Sequence, residues 1–407
     1  MTKGSETIKD SVVRIAIGVA VILSAVVIIL FIVGLIMHPV PTSLTLLNRY
    51  APWEDKAPEY NGDGKMMVFM AGNDPALPKG DSVVLGDPIY SRFLGKERPL
   101  IVYLPPGYEE TEEPYPVIFA LHGFASRGQT WVNILIEPME KAIKDGTLPP
   151  SVVVFPDFSV SADGRDDPMT KYDERGGSFY INSNLGRFED HFFKEIVNFV
   201  IYNFNVRIDP EGIVLMGSSM GGYGTIYYGI THPHFSHILV PIYPAADLRY
   251  GIDGDKLADY DPDHYAPIDY DDPKRVVNGA VMGGLLGITE EWIYYNVFDS
   301  DKFRGDAWDE DKPVWERMMA NNPVEMIKSR DGNMRGQRYY IIVGDKDDFN
   351  LDAHIPILVP LLTSAGAKVY PKENIIPGGR HNPKFVEAHI EEILKWIGDE
   401  LKGGIKE

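Results

Sequence analysis

Gly217 and Gly221 flank Ser219 at the G-x-S-x-G spacing, after the apolar run Gly212–Met216 and before a segment that can form a helix from about Tyr223 to Thr231. Strand, sharp turn and helix are what a nucleophile elbow requires. The turn leaves no room for a side chain at either flank, and it holds the serine hydroxyl at its tip. A serine is a poor nucleophile until a base takes its proton and a third group orients that base. In this kind of setting the acid and then the histidine follow the serine along the chain.

The acid is sought after the apolar run Tyr339–Val343, where Gly344-Asp345-Lys346-Asp347-Asp348-Phe349 puts several carboxylates in one loop. Asp347 is preferred, because its offset from Gly344 lets the loop turn back toward the strand end. Asp348 is the next candidate and Asp345 the third. The histidine should lie in a loop between the last strand and the last helix. Pro377-Gly378-Gly379-Arg380-His381-Asn382-Pro383 offers His381 on a glycine-rich turn. His354 comes too soon after the acid, and His389 falls within the final helix. The developing oxyanion needs two donors. The N–H of Phe124, in Leu121-His122-Gly123-Phe124 after an apolar strand, and the N–H of Met220 are assigned to it. His122 is read as an organiser of its loop rather than a base.

Other clusters point to no metal. His232, His234 and His237 surround Pro233 without a cysteine or an H-E-x-x-H pattern. Asp253, Asp255, Asp259, Asp261 and Asp263 lack the glycine and closing glutamate of a calcium loop. No metal and no organic cofactor is expected. The chain has no cysteine, which excludes disulfides, thiolate zinc and a cysteine nucleophile.

The elements that must position these residues are short continuous apolar runs. Pro99–Leu104, Tyr115–Leu121, Ser151–Phe155, Gly212–Met216, Ile238–Tyr243, Tyr339–Val343 and Lys368–Tyr370 read as strands, with helical stretches between several of them, such as His191–Phe204 and Phe385–Leu401. Such runs imply a mostly parallel sheet with helices on both faces, its site at the carboxyl ends of the strands. Residues 245–335 interrupt this rhythm as a long insertion rich in Asp, Tyr, Gly and Trp, placed to serve as a lid or substrate wall.

At 407 residues, with 44% apolar and 24% charged side chains, the chain can bury a large α/β core. Ile15–Met37 is an uncharged apolar run long enough to span a bilayer as a helix. Lys3, Lys9 and Arg14 precede it, which puts the N-terminus in the cytoplasm and the rest outside. The run ends without a small-x-small cleavage site, so an uncleaved single-pass anchor is preferred to a signal peptide, whose removal would leave a secreted protein. The formal net charge of −20 lies almost wholly after this run and argues against nucleic acid as partner. The expected organisation is a cytoplasmic tail over 1–14, an anchor over 15–37, a linker or N-terminal extension over 38–85 and one catalytic domain over 86–405. Met66–Met70 could add a strand at the domain edge.

From about Gly86 to Leu401 the chain resembles the esterase D family of α/β-hydrolases, which includes feruloyl and acetyl xylan esterases, S-formylglutathione hydrolases and mycolyltransferases. The matching pieces are Val102-Tyr103-Leu104-Pro105-Pro106-Gly107-Tyr108, Leu121-His122-Gly123, Gly177-Ser178-Phe179-Tyr180 and Phe188-Glu189-Asp190-His191-Phe192, together with the Ser219 elbow and Gly378-Gly379-Arg380-His381. The resemblance implies the α/β-hydrolase fold, Ser219 as nucleophile, His381 as base, a carboxylate after the Tyr339–Val343 strand, and Phe124 and Met220 as oxyanion residues. The expected activity is hydrolysis of a carboxylic ester, small or polymer-linked, through an acyl-enzyme. An acyltransferase using the same intermediate is the alternative, and a non-catalytic surface binding module a third reading.

Overall fold

The computed structural model of the chain describes residues 59–403, apart from 71, 73–76, 125, 161–176, 184, 249, 252–265, 268–319, 330–333 and 348–350. Residues 1–58 with the apolar run Ile15–Met37 expected to be an anchor, most of the insertion with its aspartate cluster, and Asp348 lie outside the described residues. Among the described residues no helix is long and apolar enough to cross a membrane.

The sheet is built from β1 (Lys65–Phe69), β2 (Val83–Gly86), β3 (Leu100–Leu104), β4 (Val117–Leu121), β5 (Val152–Pro156), β6 (Ile213–Ser218), β7 (Ile238–Ile242), β8 (Arg338–Tyr340) and β9 (Lys368–Tyr370). Their spatial order is β9-β8-β7-β6-β4-β5-β3-β1-β2. All neighbours run parallel except at β3, which is antiparallel to β5 and to β1. Every residue of β3 to β7 is buried, which is why these strands read as unbroken apolar runs rather than alternating ones.

The helices are α1 (Gly128–Lys144), α2 (Phe188–His191), α3 (Val197–Asn203), α4 (Met220–Thr231), α5 (Pro323–Ser329), α6 (Ile355–Ser364) and α7 (Pro383–Leu401). A π-helical turn, Phe192–Ile196, joins α2 to α3. The connection β4–α1–β5 moves toward one edge of the sheet and β6–α4–β7 toward the other, so right-handed crossovers put α1 and α4 on opposite faces. α7 packs on α1, and α5 packs on α4 and α6. The start of α7 is set locally: the Asn382 side chain accepts the Phe385 N–H at 3.2 Å, and Pro383 opens the first turn.

The strand offered over Met66–Met70 is present as β1, and β2, which the sequence did not suggest, pairs with it up to Gly86. Glu140 of α1 fastens that edge, accepting from the Tyr60 hydroxyl at 2.6 Å and from the Gly64 N–H and Tyr103 hydroxyl at 3.2 Å. The apolar run Tyr339–Val343 is not one strand. It breaks at Ile341, whose carbonyl accepts from the Asn374 amide at 2.9 Å, and Val343–Gly344 pairs instead with Ile375–Ile376.

Candidate active site

Ser219 stands at the junction of β6 and α4, at the carboxyl end of the central strands. Its backbone has φ 58° and ψ −116°, a conformation that costs a residue with a side chain about 1–3 kcal/mol. The surroundings impose it. A side chain at Gly217 would overlap the Gly221 backbone, and one at Gly221 would overlap the backbone of Leu121 and His122. The Ser219 N–H donates to the Ile242 carbonyl at 3.0 Å, which ties the turn to β7. Ser219 is half-buried amid fully buried neighbours.

The second half of the site comes from two distant loops pressed together. A side chain at Gly344 would overlap the Gly379 backbone, so the loop after Val343 and the loop before α7 meet through bare backbone. Lys346 N–H donates to the Gly379 carbonyl at 2.9 Å, and Asp345 N–H to the Ile376 carbonyl at 3.0 Å. The Asp347 N–H closes a turn on the Gly344 carbonyl at 3.2 Å. That turn delivers Asp347, 0% exposed, to His381: His381 Nδ1 lies 2.8 Å from Asp347 Oδ2. The other carboxylate oxygen accepts the Leu351 N–H at 3.3 Å. With Nδ1 as the donor to a carboxylate, Nε2 of the neutral ring is a proton acceptor. Asp345 does something else. It is partly exposed and its carboxylate accepts the Gly378 N–H at 2.6 Å, bracing the histidine loop.

The loop after β4 faces the elbow. Gly123 approaches the backbone of Ser218 and the side chain of Ser219, and Phe124 follows it, half-buried. Met220 opens α4, so its N–H has no intrahelical acceptor. His122 is buried and fixed as one tautomer: its Nδ1–H donates to the Gly123 carbonyl at 2.8 Å and its Nε2 accepts the Phe158 N–H at 2.8 Å. Burial lowers its pKa, despite the nearby Asp157 carboxylate. A ring with both nitrogens engaged and its charged form disfavoured organises the loop and is no base.

Three features around this centre were given no role in the sequence reading. Phe179 and Tyr180 have φ of 51° and 62°, and the Tyr180 hydroxyl donates to the His122 carbonyl at 2.7 Å. Tyr243, with φ 33°, packs its ring 4.3 Å from that of His381. Its one sequence signal is its place, immediately after β7. Below the loop, Asp157 is buried among Arg98, Arg127 and Ser159. Of the histidines around Pro233, the His237 Nδ1 pairs with Glu211 at 2.7 Å and the His232 ring stacks on Phe193 at 3.7 Å.

The Esterase family model matches residues 91–381, which takes in the elbow, the carboxylate loop and the histidine loop. The chain belongs to the esterase family. This esterase is accordingly a carboxylic-ester hydrolase. Its fold is similar to that of solved relatives. An S-formylglutathione hydrolase from Agrobacterium tumefaciens matches at TM-score 0.54 and 16% identity over 77% of this chain and 94% of the other. A ferulic acid esterase matches at TM-score 0.52 and 15% identity over 77% of this chain and 96% of the other.

Proposed function

We propose that this esterase works through an acyl-enzyme on Ser219, with His381 as the base and Asp347 as the group that orients it. The observation that carries the reading is the buried Asp347–His381 pair, delivered to the strand ends where Ser219 sits in its strained turn. His381 Nε2 takes the Ser219 proton as the hydroxyl oxygen attacks the ester carbonyl. The N–H groups of Phe124 and Met220 bind the resulting oxyanion. His381 returns the proton to the leaving alcohol, and water, deprotonated by the same nitrogen, releases the acid. No step calls for a metal or an organic cofactor. Strain at Ser219 fits this role, because it fixes the hydroxyl before substrate arrives.

The uncharged run Ile15–Met37 and the basic residues before it support a single-pass anchor with the catalytic domain outside the cytoplasm. Substrate would then be an ester met in that space, free or attached to a polymer.

A fluorophosphonate probe followed by peptide mapping tests the chemistry. The adduct is expected on Ser219 and absent from Ser219→Ala, which should retain less than about a thousandth of wild-type turnover of a p-nitrophenyl ester. Turnover by Ser219→Ala within tenfold of wild type would sink the assignment. N-terminal sequencing of the membrane-bound protein tests the anchor; a mature start near Pro39 would mean a cleaved signal.

A further inference from the structure

We infer that Tyr243 is a positioning residue that ties the nucleophile strand to the base and sets the tilt of the His381 ring. The inference rests on the triad reading above.

The peptide unit between Ile242 and Tyr243 is bonded on both sides. Its carbonyl accepts the N–H of Ser219 at 3.0 Å, and its N–H donates to the Ile342 carbonyl at 2.7 Å, on the stretch that leads to Asp347. One planar group thus spans from the nucleophile's backbone to the segment that carries the acid. At the next atom the chain takes φ 33°, in the left-handed region that a bulky side chain rarely adopts. The side chain is 2% exposed, with its ring 4.3 Å from the imidazole of His381 and 5.8 Å from the ring of Phe385. Its hydroxyl lies beside the side chain of Ser218, the neighbour of the nucleophile.

The hydrogen bond from Nδ1 to Asp347 fixes one atom of the imidazole but not its plane, because the ring can still swing about that contact. Nε2, on the far side of the ring, moves most when it does. The Tyr243 ring, held close against the imidazole at a 45° tilt and itself in contact with Phe385, restrains this swing. Residues strained this far from ordinary backbone geometry cluster where alignment matters to a mechanism. Nothing in the burial of β7 asks for a left-handed residue after it.

The test compares Tyr243→Phe, Tyr243→Leu and Tyr243→Met with Ser219→Ala on a p-nitrophenyl ester, with thermal unfolding in parallel. Tyr243→Leu should lose about 30- to 100-fold in kcat with KM changed less than about threefold, the pattern of lost alignment rather than lost binding. Fluorophosphonate labelling of Ser219 should slow in step. Tyr243→Phe, which keeps the ring, should restore kcat to within about threefold of wild type. Tyr243→Met keeps apolar bulk without a ring, and it should show the same roughly 30- to 100-fold loss in kcat, so it carries the test if the leucine variant does not fold. The inference is overturned if the leucine and methionine variants keep kcat within threefold, if their defect lies in KM alone, or if the phenylalanine variant is as slow as they are. Any of these with an inactive Ser219→Ala leaves the triad standing; an active Ser219→Ala overturns the triad itself.

Discussion

Asp157 and Asp347 are both buried against basic side chains, and their surroundings differ. Asp157 accepts from Arg98 at 2.8 Å, from Arg127 at 3.1 Å, and from both the N–H and the hydroxyl of Ser159. Asp347 accepts from His381 and from the Leu351 N–H. Burial alone would raise the Asp157 carboxyl, but Arg127, Arg98 and His122 outweigh it and hold the group at about 2. Its partners are guanidinium groups, which do not release protons in proteins. The partner of Asp347 is an imidazole, a group whose chemistry lets it both give and accept a proton. In the triad proposed above, the basic partner is what separates the two carboxylates: guanidinium groups make Asp157 a foundation, and an imidazole lets Asp347 serve a reaction.

The contrast can be broken from either side. Asp347→Asn should lower kcat/KM by about 10³–10⁴, because an amide does not hold the histidine in the required tautomer. The unfolding midpoint should move little, since the amide oxygen can still accept from Leu351. A loss under tenfold would mean that Asp347 is not the orienting acid. Asp157→Asn should do the reverse. It leaves two buried guanidinium groups short of a counter-charge and should cost about 3–5 kcal/mol in urea unfolding. Turnover per folded molecule should stay near wild type.

Acid sharpens the comparison. His122 and His191 are both held below the ordinary histidine range, chiefly by burial. The unfolded chain takes up their protons below pH about 6.5 while the folded protein resists. Stability should therefore fall as pH drops below that point, by about 1.4 kcal/mol per pH unit for each histidine. Asp157 contributes separately: its stabilisation is complete above pH about 4 and is lost as pH falls toward 2. Urea titrations at a series of pH values would read both; a flat profile between pH 7 and 4 would contradict the first. The smallest effect belongs to Asp345→Asn. It weakens one hydrogen bond to the Gly378 N–H, and should cost about 1 kcal/mol and less than tenfold in kcat/KM.

How much of this was legible in the sequence follows from how local each feature is. The elbow was, because Gly217, Ser219 and Gly221 act within one contiguous turn. The central strands were, because burial on both faces removes polar interruptions. Asp345 and Asp347 could be ranked only by their offset from Gly344, and the turn from Asp347 N–H to the Gly344 carbonyl is the geometry that offset provides. The close approach of Gly344 to Gly379 was not legible, since it joins loops that no local pattern links. The break at Ile341 was hidden, because the apolar run continues through it. β2 was hidden too: it is a short edge strand with Val84 and Leu85 exposed. Tyr243 was read only as the end of a strand, because its partners Ser218, Ile342 and His381 come from three separate segments.

The two ends of the long insertion carry a last consequence. Ala246 and Asp247 both give their N–H groups to His354 Nδ1 at 3.1 Å, Asn322 bonds both Asp247 and the Leu248 N–H, and the Tyr223 hydroxyl donates to the Asn321 carbonyl. The described residues on either side of the insertion thus meet in one buried junction, braced by the helical turn that follows the carboxylate loop. A segment whose ends are stitched side by side can be lengthened, shortened or exchanged at modest entropic cost and without rethreading the sheet. For protein engineering, that junction is a ready-made socket, with His354, Asn322 and Tyr223 holding both ends of any new sequence grafted between Leu248 and Asn321.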